Sequence, residues 1–153
     1  MDSRSIVLEA STGLGVSPAQ VREWFLSLGE HPERYTFGTH GGFTFTEGSF
    51  GEEGALFETR EQFAGVHIGL HFRLTEVGQD HFDFELVQPP LGVEGTFEMT
   101  SAEEGGSRLS LLIGSKSGWA RAFLRMPLIH GAVLGQIQRE VMHIRESVKR
   151  LYA

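Results

Sequence analysis

The chain has 153 residues, 40% of them hydrophobic and 22% charged, with a formal net charge of −7. That is enough chain for one globular domain, residues 1–153, with a real core, and the acidic balance argues against a nucleic-acid backbone as partner, where affinity comes from Lys and Arg contacts. The absence of Cys and Asn excludes disulfides, thiolate metal sites, thiol nucleophiles and N-glycosylation acceptors.

The opening residues, Met1-Asp2-Ser3-Arg4-Ser5-Ile6, contain no apolar stretch of signal-peptide length. No apolar run approaches the ~20 residues needed to span a bilayer. A cytoplasmic location is the expectation.

Ile6, Leu8 and Ala10 alternate with Val7, Glu9 and Ser11, which predicts a short strand broken by Gly13 and Gly15. Ser17-Pro18-Ala19-Gln20 then supplies a helix start: an N-cap serine, proline at the first helical position and glutamine closing a capping box. Val21, Trp24, Phe25 and Leu28 form that helix's apolar face, and Gly29 ends it. His31 to Tyr35 reads as one further helical turn.

From Thr36 to Ser115 the period is two. Phe43 and Phe45 begin it, followed by Ala55 to Phe63, a turn at Ala64-Gly65, and Val66 to Thr75. After Gly78-Gln79-Asp80 come Phe82, Phe84 and Leu86, then Val93, Gly95, Phe97 and Met99, and finally Leu109, Leu111 and Ile113. One face is apolar and the other charged, the pattern of antiparallel strands packed on one side only. Keeping the apolar faces together sets Arg73 opposite Asp83 or Glu85.

The last third carries Leu134, Ile137, Val141, Ile144, Val148 and Leu151 at alternating steps of three and four. Those steps lay an apolar stripe along a helix, about 38 Å long from Pro127 to Leu151. Pro127 either kinks this helix or begins its regular part. If the latter, Gly118 to Met126 is a separate turn, movable or static. The predicted fold class is α+β: a curved seven-stranded antiparallel sheet wrapped around a long C-terminal helix, with two short helices after the first strand.

This order resembles the SRPBCC superfamily, whose helix-grip fold is shared by START lipid-transfer domains, pollen-allergen-like proteins and polyketide cyclase/dehydrase-like proteins. The resemblance rests on Val16-Ser17-Pro18-Ala19-Gln20-Val21 with Trp24, on Gly54-Ala55-Leu56-Phe57, on Phe82-Asp83-Phe84-Glu85-Leu86, and on Trp119-Ala120-Arg121-Ala122-Phe123 with Val141 and Leu151. It implies a cavity between sheet and helix that holds a lipid, sterol, quinone or polyketide-like molecule. It implies no universal catalytic residues and no cofactor.

Within that frame several residues are candidates. His130 lies four before Leu134 on the stripe, so it can meet a ligand or act as acid or base; the alternative is a satisfied histidine at the end of the core. Glu61 and Thr59 share parity with Phe57 and Phe63 and point inward, unless a bulge near Gly65 turns them out. An inward carboxyl has a raised pKa and suits a general base. Phe57, Phe63, Phe72, Phe82, Phe84, Phe97, Phe123, Leu134 and Ile137 either line the cavity or fill it. Lys116, Arg121 and Arg125 meet an acidic head group at the cavity mouth or form a solvated rim.

His67, His71 and His81 invite a metal reading, but His67 and His71 sit about 13 Å apart along one strand. Ligands of one zinc must each come within ~2.1 Å of it, so no metal site is expected there. No nucleophile elbow, phosphate-binding loop or dinucleotide fingerprint occurs. Three functions follow from these residues: a carrier of a small hydrophobic molecule, a cyclase or dehydratase using His130 and Glu61, or an interaction module without ligand.

Overall fold

The computed structural model describes residues 5–38 and 40–152. The reading of the first residues, Met1 to Arg4, lies outside them. Seven strands form one antiparallel sheet: β1 (Ile6–Leu14), β2 (His40–Glu47), β3 (Leu56–Phe63), β4 (Val66–Val77), β5 (His81–Gln88), β6 (Glu94–Ser101) and β7 (Ser107–Gly114). Their spatial order is β1-β7-β6-β5-β4-β3-β2. The first two strands in sequence therefore stand at opposite edges.

Helix α1 (Pro18–Leu26) and the 3-10 turns Ser27–Gly29 and Pro32–Tyr35 carry the chain between those edges. Ser17 Oγ accepts from the Gln20 amide at 3.3 Å while Gln20 Oε1 accepts from the Ser17 amide at 3.0 Å. The capping box is thus closed, leaving fewer orphan donors at the helix start.

The alternation holds along the sheet, with local exceptions. β1 runs through Gly13 to Leu14, because Gly13 pairs with Arg108 and Leu14 with Ser107; ladder pairing overrides the weak strand preference of glycine. Ala64 (φ 49°) and Gly65 (φ 84°) make the two-residue turn between β3 and β4, the positive-φ pair that matches strand twist. Arg73 stands opposite Glu85, and its Nη1 lies 3.1 Å from Glu85 Oε1. Both are well exposed, so the pair adds little stability.

Two helices close the chain. In α2 (Gly118–Arg125), Ser117 caps the start; Met126 after it is extended (φ −60°, ψ 130°). α3 (Pro127–Tyr152) follows as a separate helix. Proline thus begins the long helix, since its ring cannot follow a helical turn. Ile137, Val141, Ile144 and Val148 are buried against the sheet, while Leu134 is partly buried and Leu151 is exposed where the helix runs out. Trp24 Nε1 donates to Ser147 Oγ at 2.8 Å, tying α1 to α3. Among the described residues no helix is long and apolar enough to cross a membrane.

Candidate functional site: an apolar cavity with a buried carboxyl pair

A cavity of about 230 Å³ lies between the sheet and the two C-terminal helices. Its wall is almost wholly aromatic and aliphatic, drawn from β2 to β7, from α2 and from the first half of α3. The polar exceptions are Tyr35, His40, Thr59, Glu61 and Glu140. The phenylalanines do not fill the space between sheet and helix.

Of the residues singled out in the sequence, Phe57, Phe63, Phe72, Phe84, Phe97, Phe123, Ile137, Thr59 and Glu61 line this cavity. Phe82 does not. It is fully buried, with its ring 5.3 Å from those of Phe25 and Phe50, on the side of the sheet's apolar face that α1 covers. His130 and Leu134 are also absent from the wall. The α3 residues that reach it are Ile129, Ala132, Val133, Ile137 and Glu140. From Ile137, the cavity face runs back in steps of four to Val133 and Ile129. The series through Leu134 and His130 begins with a step of three and lands one position around the helix. Lys116 and Arg125 are exposed, and Arg121 Nη1 donates to the carbonyls of Ser115 and Lys116 at 2.9 and 3.0 Å.

The histidines on the outer face do not gather at one point. His67 and His71 are exposed, and His71 lies 3.8 Å from Glu58. His81 bonds Asp80 at 2.8 Å and approaches Glu76 at 3.3 Å. The Asp80 carboxylate raises the His81 pKa more than partial burial lowers it.

The polar patch is built from four elements. Tyr35 ends a 3-10 turn, His40 opens β2, Thr59 and Glu61 lie on β3, and Glu140 sits midway along α3. A bulge makes this possible. β2 shifts register between His40 and Gly42, so His40 pairs with Glu61 although Phe43, three residues on, also points inward. An extra residue in one strand lets two positions of opposite parity share a face. Simple alternation sends His40 outward with Thr44. Glu140 did carry a sequence signal: it falls three after Ile137 and four before Ile144, a carboxyl on the apolar stripe.

Hydrogen bonds join these groups. Thr59 Oγ1 donates to Glu61 Oε2 at 2.6 Å. Tyr35 Oη donates to Glu140 Oε1 at 3.5 Å, and His40 Nε2 lies 3.3 Å from the same oxygen. Glu61 and Glu140 are hydrogen-bonded to each other, and Gln136 bonds Glu61. Burial raises the pKa of Glu61, against the hydrogen bonds it accepts from Thr59, Glu140 and Gln136. Burial and then the charge of Glu61 raise Glu140 well above the carboxyl range. Two adjacent buried carboxyls cannot both ionise cheaply, so the pair keeps a proton.

Burial also pushes His40 down to about 3; hydrogen bonding to the Tyr35 backbone acts the other way and is smaller. Burial thus disfavours an ion pair where His40 Nε2 approaches Glu140 Oε1 at 3.3 Å. Among the described residues His40 Nδ1 has no partner with hydrogen-bond geometry. His40, Glu61 and Glu140 each offer one ligand atom, all within 4.8 Å of one another, so these are the buried residues able to hold a metal. Chemically the patch can donate and accept hydrogen bonds, share a proton, or face a positive charge.

No protein-family model matches the chain, and no curated protein matches it. Solved structures do. Ginseng major latex-like protein 151 from Panax ginseng is 13% identical, with a TM-score of 0.67 over 95% of this chain and 95% of that one. Protein Ms6760 from Mycobacterium smegmatis is 12% identical, with a TM-score of 0.70 over 99% of this chain and 96% of that one. Ara h 8.0201 is 15% identical, with a TM-score of 0.68 over 94% and 97%. At these identities the likeness is one of fold, and the fold of this chain is a helix grip, a seven-stranded antiparallel sheet closed on a long C-terminal helix.

Proposed function

We propose that this protein binds a small hydrophobic molecule in the cavity between sheet and helix. The observation that carries the reading is the void itself, about 230 Å³ with an almost wholly apolar wall. Cavities of ~150 Å³ lined by aliphatic and aromatic side chains stay dry and take up benzene. A larger one suits a fused two-ring body, held by burial at roughly 25 cal/mol per Å². Phe57, Phe72, Phe84, Phe97, Phe123 and Ile137 contribute apolar wall.

The test is a titration with tetralin, followed by thermal shift and by methyl NMR of the wall. Saturable binding that perturbs Ile137 supports the reading. No binding of tetralin or smaller arenes sinks it.

A second reading, acid–base catalysis on the bound molecule, is supported by the carboxyl pair at the wall. In that reading Glu61 is the base and protonated Glu140 the acid. Glu61→Gln would then abolish turnover while leaving tetralin binding intact.

A further inference from the structure

The charge inventory of the cavity is one-sided. Its wall holds two carboxyls, Glu61 and Glu140, and neither a lysine nor an arginine. Both are almost completely buried, at 6% exposure each. The imidazole beside them is 1% exposed, and among the described residues its Nδ1 has no hydrogen-bond partner. Buried carboxyls normally face a cation, because an unpaired buried charge costs several kcal/mol. Here they face each other, Tyr35, His40 and the apolar hollow; Thr59 and Gln136 bond Glu61, and the charge of Arg139, which is not part of the wall, favours ionised Glu140 only weakly beside burial.

We propose that the cavity's ligands are apolar amines, with the ammonium group seated between Glu61, Glu140 and His40. The proposal rests on the hydrophobic-ligand reading and names the head group that reading leaves open. Geometry supports an organic cation over a metal. With the three ligand atoms no more than 4.8 Å from one another, some point lies within about 2.8 Å of all three, the length of a charge-assisted N–H···O bond. Zinc would need each of them at ~2.0–2.2 Å, and it would leave the apolar hollow unused.

The proton balance is simple. A neutral amine takes the proton that the carboxyl pair holds, or an ammonium ion enters as the pair gives that proton to water. Either way the buried state is an ammonium between carboxylates. An alcohol or ketone gains hydrogen bonds alone. A carboxylate ligand would add an anion to the patch, which repels it.

The experiment uses four probes on one carbon frame: tetralin, 2-tetralol, 2-aminotetralin and tetralin-2-carboxylate. Each is titrated calorimetrically at pH 7 with a chelator present. The amine should bind at least about tenfold more tightly than the alcohol, and the carboxylate more weakly than tetralin. Glu61→Gln should remove most of that amine advantage, read as the ratio of amine to tetralin affinity measured in the same variant. Glu140→Gln repeats the test if the first variant folds poorly.

An amine that binds no better than the alcohol, while tetralin still binds, overturns this proposal and leaves the hydrophobic-ligand reading standing. Failure of all four probes overturns both. A parallel arm without chelator adds zinc or manganese; stabilisation by the ion, with no amine preference, makes the patch a metal site and also overturns the proposal.

Discussion

His40 Nε2 lies 3.3 Å from Glu140 Oε1, so the first residue of β2 meets the middle of the long helix inside the protein. Burial disfavours the charged form of both groups, and their titrations pull stability in opposite directions. Tyr35 and Glu61 also face the pair, and His143 disfavours the charged form of His40.

For His40 the folded pKa is depressed from 6.5 to about 3. Its contribution is therefore fully present above pH 6.5 and is lost as pH falls toward 3. Lowering the pH from 7 to 5 should cost about 2 kcal/mol through this group. Denaturant unfolding of wild type and His40→Gln at both pH values checks this; the variant should lose that much less than wild type.

For Glu140 the folded pKa is raised well above the ordinary carboxyl value of 4.5. Its contribution is present below that value and is lost as pH climbs toward the folded pKa. Stability of Glu140→Gln should therefore decline less than wild type between pH 5 and 9. A thermal melt series across that range decides it, and parallel curves would contradict it.

The Trp24–Ser147 hydrogen bond is buried on both sides. Removing the hydroxyl leaves an indole N–H without a partner. Ser147→Ala should cost about 1–3 kcal/mol, more than an exposed serine would. Chemical denaturation followed by the fluorescence of buried Trp24 measures this directly.

Two glycines in one strand pair make a matched comparison. A Cβ at Gly114 would collide with the Ser5 carbonyl, whereas one at Gly13 meets nothing within 4 Å. Gly114→Ala should destabilise by about 1–3 kcal/mol, as overpacking does. Gly13→Ala should stay within about 0.5 kcal/mol. Equal unfolding midpoints for the two would argue against close packing at that edge.

Val133 borders the cavity from α3. Val133→Trp places an indole in existing space, so binding of tetralin should fall at least about tenfold while the melting temperature holds or rises. Calorimetry paired with a thermal melt separates a blocked cavity from a damaged fold.

The sequence was most legible where one periodicity acted alone. Ile137, Val141, Ile144 and Val148 lie buried along α3 as their spacing predicts, and strand parity turns Glu61 inward. It was least legible where two elements compete for a residue. Phe82 and Phe84 share parity, yet Phe82 packs against Phe25 and Phe50, and only Phe84 reaches the hollow. That division depends on α1, whose Phe25 lies 57 positions before Phe82 in sequence. His40 escaped for another reason: a one-residue bulge inverts parity locally, and nothing in the alternation of Phe43 and Phe45 announces it. His130 and Ile129 differ by a single position on a 3.6-residue helix, too fine a distinction for spacing alone to make.

The edge position of β1 bears on how the chain is made. Ile6 pairs with Gly114 and Leu14 with Ser107, so β1 has no ladder partner until β7 leaves the ribosome. At about 5–20 residues per second, it waits several seconds while β2 to β6 are still being made. Such long-range closure belongs to slow folders. Ribosome-bound chains stalled just before residue 107 should keep β1 open to proteases, and chains stalled well beyond residue 114 should not.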